Sequence, residues 1–133
     1  MTLLGDEPEK VEYPGRNWLN VDLMEPDILK DDPILGEIVR RLVLAYEPER
    51  IYLFGSKGRG DARADSDYDL MLIVPDNAPP ERRRSRMAYQ VLRGTGRAAD
   101  VLVWTRTSFD SRLGVRTSLP ATVASEGRVL HAA

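Results

Sequence analysis

Phe54-Gly55-Ser56-Lys57-Gly58-Arg59-Gly60-Asp61-Ala62-Arg63-Ala64-Asp65-Ser66-Asp67-Tyr68-Asp69-Leu70 is the stretch on which the fold turns. It leaves one apolar run, Ile51 to Phe54, and enters another, Leu70 to Val74. Between them lie three glycines, two serines, three cations and four acids. A core has no use for that mixture; a loop that holds phosphate and a divalent cation does. Gly55 and Gly58 can take positive φ and let a ligand approach the backbone. Successive amide N–H groups in such a turn can form an anion-binding concavity. Ser56 adds a hydroxyl, and Lys57, Arg59 and Arg63 add positive charge for phosphate oxygens. Asp67 and Asp69 stand at i and i+2 where an extended run begins, so their side chains share a face. Two carboxylates that close repel unless a cation or proton lies between them. Mg²⁺ is the natural occupant, sharing its shell with substrate phosphates. An Asp-x-Asp pair alone is a weak signal, and a Gly/Ser/Asp-rich segment is commonly only a loop. The argument lies in loop, spacing and flanking strands together.

This stretch resembles the nucleotidyltransferase superfamily typified by DNA polymerase β. The family pattern is apolar-Gly-Ser, about ten residues, then Asp-apolar-Asp-apolar. Here it reads Phe54-Gly55-Ser56 and Asp67-Tyr68-Asp69-Leu70. The fuller run is similar to the small stand-alone members, the minimal nucleotidyltransferases. Gly58 departs from the Ala common there, which loosens the turn. The resemblance covers roughly residues 33 to 131. It implies an α/β (α+β) nucleotidyltransferase fold: a small mixed β-sheet with helices packed mainly on one face.

The whole chain sets the bounds. Its 133 residues suffice for one domain and one core. A net charge of −2 gives no general attraction to nucleic acid, so no direct DNA binding is expected. With no cysteine there are no disulfides or thiolate metal sites, which fits a reducing compartment. No apolar run reaches membrane-spanning length and no signal sequence is evident, so no membrane association and a cytoplasmic location are expected.

Residues 1–31 read as an irregular, acidic N-terminal arm with Pro8, Pro14 and Pro26, and with Trp18, Leu19, Val21, Leu23 and Met24 as apolar anchors onto the body. Residues 32–133 form the nucleotidyltransferase domain. Asp32-Pro33 starts a helix. Ile34, Leu35, Ile38, Val39, Leu42 and Val43 recur at helical spacing, and Pro48 ends the segment. Arg50 to Phe54 is a strand, and Ser56 to Asp61 can start a short helix aimed at phosphate. Tyr68 to Val74 is a central strand, apolar on both faces. Pro79-Pro80-Glu81 opens a second helix to about Arg93, stopped by Gly94. Met87, Tyr89, Val91 and Leu92 are its expected buried side. Its cations Arg82, Arg83, Arg84 and Arg86 read as a solvated face, the alternative being contact with an acidic partner or RNA. Ala99 to Trp104 is a third strand, in which Asp100, Leu102 and Trp104 share a face. Thr107, Ser108 or the residue just before caps a helix through Arg112. Gly114 and Pro120 interrupt any longer helix, so two short ones with a break are expected. Arg128 to Leu130 is a last short strand, and His131 is expected in solvent with no catalytic role.

The resemblance implies a reaction that moves a nucleoside monophosphate, with AMP from ATP expected, to an acceptor hydroxyl. Asp67 and Asp69 would bridge two Mg²⁺ ions, a pairing suited to in-line displacement. Asp100 would complete the set as the third carboxylate and take the acceptor proton. Gly55 and Ser56 would hold the terminal phosphates, Lys57, Arg59 and Arg63 would neutralise charge with Arg59 foremost, and Ser66 would orient Asp67. Met71, Ile73, Leu102 and Trp104 would continue the catalytic face, so the arm or a partner chain should cover them. Minimal members commonly pair with a small helical HEPN-domain protein as antitoxin and toxin, the antitoxin attaching AMP to a tyrosine. A binding-only antitoxin and a small-molecule, aminoglycoside-type nucleotidyltransferase are the competing readings, the latter calling for a homo-oligomer.

Overall fold

The computed structural model describes residues 27–55 and 67–133. The anchors expected in the arm up to Pro26, and the short helix expected over 56–61, lie outside the described residues. Asp27–Asp31 is helix α1, and its Leu29 joins the core.

Helix α2 (Pro33–Tyr46) begins where the sequence says it should. Asp32 accepts the Leu35 N–H on Oδ1 at 3.1 Å, and Pro33 takes a position whose N–H would be unused. Such a cap contributes about 1 kcal/mol. Leu35, Ile38, Leu42 and Tyr46 are fully buried. Glu37 receives Arg40 and Arg41 on the wet side, each at 2.7 Å. Glu47 ends the helix in the left-handed region at φ 47°, its N–H reaching the Val43 carbonyl, and Pro48 comes next.

Strands β1 (Arg50–Phe54), β2 (Tyr68–Val74), β3 (Ala99–Thr105) and β4 (Arg128–Ala132) form one mixed sheet in the order β3-β2-β1-β4. β1 runs antiparallel to β2 and β4, and β2 runs parallel to β3. β2 is central, and six of its seven residues are buried, as its doubly apolar sequence requires. On one face Ile51, Leu53, Tyr68, Leu70, Leu72, Val74 and Val101 pack against α1, α2 and helix α3 (Arg86–Val91). This is the heavier helical layer. On the other face Tyr52, Met71, Ile73 and Val129 meet Phe109 of helix α4 (Arg106–Arg112) and Val123 and Ala124 of helix α5 (Leu119–Glu126). Tyr52 and Phe109 stack with centroids 5.8 Å apart.

Several local expectations change. The helix expected from Pro79 to Arg93 is a 3₁₀ turn (Pro80–Arg83), an extended Arg84 and then the short α3. The cause is tertiary. Buried Tyr46 needs partners for its hydroxyl, and it donates to the Arg84 carbonyl at 2.5 Å and accepts from the Ala88 N–H at 2.9 Å. That pins the break. It also turns Ala88 and Leu92 inward and leaves Tyr89 49% exposed, against expectation. Arg82 meets Glu47 at 3.0 Å, while Arg83, Arg84 and Arg86 are exposed. The cap of α4 is Thr105, which accepts from Ser108 N, rather than a residue further on. His131 is half-buried within β4. Met71 and Ile73 need neither arm nor partner, because α4 and α5 cover them completely. Trp104 is half-buried against the same cluster, and Leu102 retains 38% exposure. Among the described residues no helix is long and apolar enough to cross a membrane.

Candidate active site

α4 and α5 leave one end of their sheet face open. Along β2, burial falls from Ile73 and Met71 to half-exposed Asp69 and exposed Asp67. Along β3 it falls toward exposed Asp100. Parallel pairing sets Asp69 directly opposite Asp100. Paired residues of neighbouring strands project from the same face, with the strands about 4.8 Å apart. The parallel register therefore brings together two acids that are 31 positions apart.

The carboxyl of Asp69 is raised above the usual carboxylate range. Burial is the largest cause, followed by the charges of Asp100 and Asp67. The charges of both Asp100 and Asp67 thus reach Asp69. This is the situation in which a divalent cation is bound most favourably, since it replaces mutual repulsion with attraction. Among the described residues no set of three or more acidic, His or Cys side chains forms a ready-made metal cage. Mg²⁺ seldom requires one, because substrate phosphates and water complete its shell.

Gly55 adds a steric observation. At φ 68° it lies in the left-handed region, and a Cβ built there would stand 2.3 Å from Asp69 Oδ2. The Asp69 carboxylate fills the space a side chain would need. Only glycine lets β1 end so closely against that acid, which fits a site where the chain must crowd a charged ligand group. Ser56, Lys57, Arg59, Arg63 and Ser66, the other expected ligands of the nucleotide, lie outside the described residues.

Two groups at the site were not legible as such in the sequence. Tyr68, between the two acids, is 1% exposed, and its hydroxyl donates to Asp32 Oδ2 at 2.6 Å. Burial, then the Asp32 hydrogen bond and charge, push the phenol up to about 12. Arg97 sets its guanidinium 5.6 Å from the centre of the same ring. The one available signal was a tyrosine in an otherwise aliphatic buried strand, since a buried phenol demands a partner.

A mixed sheet whose central strand opens on paired acids, beside a glycine that makes room for one of them, is the described part of the candidate site. The chain belongs to the nucleotidyltransferase domain family, whose model matches residues 33–130. Three similar solved structures have comparable coverage. A protein described as a nucleotidyltransferase from Sulfolobus solfataricus is 21% identical over 73% of this chain and 76% of its own, with a TM-score of 0.49. A toxin–antitoxin structure with AMP-PNP is 20% identical over 73% of each chain, with a TM-score of 0.47. A mutant of the toxin–antitoxin pair MntA–HpeT is 18% identical over 74% of this chain and 73% of its own, also at 0.47. No curated protein matches the chain.

Proposed function

We propose that this nucleotidyltransferase moves a nucleoside monophosphate, AMP from ATP, to a hydroxyl of a protein partner, and that it acts in the cytoplasm as the antitoxin of a small helical HEPN-type toxin. The observation that carries the reading is the pairing of Asp69 with Asp100 across two parallel strands, with the charge of Asp67 also reaching Asp69. The partner rests on the resemblance of the Gly55–Leu70 stretch to the minimal members.

Asp67 and Asp69 are the residues that would hold two Mg²⁺ ions, with Asp100 sharing one of them. When bound, the ions supply charge neutralisation on the attacking and leaving oxygens. The acceptor oxygen forms a bond to the α-phosphorus, the bond from that phosphorus to the pyrophosphate oxygen breaks, and pyrophosphate leaves. Asp100, exposed at the strand entrance, takes the hydroxyl proton. Gly55 and Ser56 hold the terminal phosphates through the backbone and a hydroxyl. Lys57, Arg59 and Arg63 oppose the charge that builds on the pyrophosphate, and Ser66 orients Asp67. A tyrosine acceptor, with an unperturbed pKa near 10, needs that help to ionise at neutral pH.

The test is incubation of the chain with α-labelled ATP, Mg²⁺ and the product of the neighbouring gene. Label on the partner that disappears with Asp69→Asn supports transfer. Neutralisation of the partner that survives Asp69→Asn supports binding without chemistry. Label that goes instead to a small hydroxylated molecule supports the aminoglycoside-type reading.

A further inference from the structure

The register of β1 with β2 runs from Arg50–Ile73 to Phe54–Asp69 and stops there. Tyr68 pairs with Ala99 on the β3 side, but it lies past the end of β1. Among the described residues the first residue at the entrance of β2, Tyr68, is thus paired on the β3 side only, with Asp67 just before it, while Asp69 is paired on both sides. A strand end paired on one side frays readily, and fraying here would move Asp67 relative to Asp69.

We infer that Tyr68 is a positioning residue, which anchors this entrance from behind the sheet through Asp32 and Arg97. Side chains alternate along a strand, so the Tyr68 ring points away from the face that carries its two acidic neighbours. It enters the core beneath α1 and α2. There its hydroxyl reaches Asp32 Oδ2 at 2.6 Å, while the other oxygen of that carboxylate caps α2 at Leu35 N, 3.1 Å away. One carboxylate therefore ties the start of the longest described helix to the residue between the two acids. The same ring takes Arg97 on its face, and the Tyr68 N–H donates to the Ala98 carbonyl at 3.1 Å. Asp100 lies two residues beyond Ala98. The other residues of β2 on this face are Leu70, Leu72 and Val74, so filling the core does not require a phenol. A hydroxyl buried there costs stability unless it is bonded, and Asp32 supplies that bond.

This rests on the nucleotidyltransferase reading for what the acids do, but its test does not depend on turnover alone. Tyr68→Phe removes the hydroxyl and keeps the ring, its burial and the Arg97 contact. Asp32→Asn keeps an oxygen for the helix cap and turns the other into an NH2 that can donate to the phenol oxygen, so the link survives with its direction reversed; Asp32→Ala loses both. The readouts are Mn²⁺ affinity of the full chain by water-proton relaxation, alone and with a non-hydrolysable nucleoside triphosphate, and the Mg²⁺ half-saturation of nucleotide transfer. Tyr68→Phe and Asp32→Ala are expected to weaken Mn²⁺ binding roughly ten-fold, the usual scale for groups that orient metal ligands, and to raise the Mg²⁺ half-saturation in parallel. The double variant should bind Mn²⁺ no worse than the weaker single one, and Asp32→Asn should stay close to the wild type. A Tyr68→Phe protein that melts lower yet binds Mn²⁺ as the wild type does would show a purely structural role and overturn the inference. A wild type that binds Mn²⁺ tightly, is weakened by Tyr68→Phe, and yet transfers no nucleotide would overturn the function and leave the positioning role intact. A wild type that binds no Mn²⁺ under either condition would overturn both.

Discussion

Asp69→Asn tests whether the three acids share a volume built for a cation. Asp69 lies opposite Asp100 in a parallel pair. At a strand separation of about 4.8 Å, two unit charges repel by roughly 3.5 kcal/mol at an effective dielectric of 20 and by about 0.9 kcal/mol in bulk water. Asp100 is exposed and Asp69 is half-buried, so the effective value lies low in that interval, about 1–2 kcal/mol. The sign comes from the raised carboxyl of Asp69. Its folded-state pKa exceeds its unfolded one, so the native state holds the proton more tightly. Stability without metal therefore falls as pH rises from the unfolded carboxylate value near 3.9 through the raised one, and the full penalty remains at neutral pH. Asn removes one charge and relieves it. In EDTA at pH 7.5 the melting temperature of Asp69→Asn should rise by roughly 4–7 °C for a domain of this size. Mg²⁺ should stabilise the wild type and do little for the variant, and nucleotide transfer should be lost. Calorimetry with and without Mg²⁺ reads all but the last. A variant that melts below the wild type in EDTA, or gains as much from Mg²⁺ as the wild type does, would refute the reasoning.

Gly55→Ala should cost about 1–2 kcal/mol from the left-handed backbone alone. Because its Cβ would also displace the Asp69 carboxylate, activity should fall far more than stability, which paired denaturation and transfer assays would show. Phe109→Ala should cost about 3–5 kcal/mol. It opens the face where Phe109 stacks on Tyr52, and urea titration followed by circular dichroism measures it. Hydrogen bonds and charge from Arg40 and Arg41 lower Glu37 to about 2. Its support is therefore present above the unfolded carboxylate value and is lost as pH falls through about 2. The pairs are exposed, so melting curves of Glu37→Gln and wild type at pH 7 should converge in 1 M salt.

How much of this was legible depends on how far apart the deciding residues stand. Asp32-Pro33, the apolar spacing of Leu35 to Tyr46 and the doubly apolar β2 carry their structure locally, through capping, helical period and burial on two faces. The Phe54 to Leu70 pattern likewise identified the family, because its chemistry depends on residue types at short spacing. The resemblance already expected Asp100 to join Asp67 and Asp69; what only the structure supplied is the parallel register that sets it opposite Asp69, since such a pairing leaves no mark in either strand's composition. Only the structure broke the helix expected from Pro79 to Arg93, through a hydroxyl on Tyr46 nearly forty positions earlier. It alone joined Tyr68 to Asp32. Local rules give each residue its preferred shape; they do not say which distant group will satisfy a buried donor or share a charge. That is decided when the layers close.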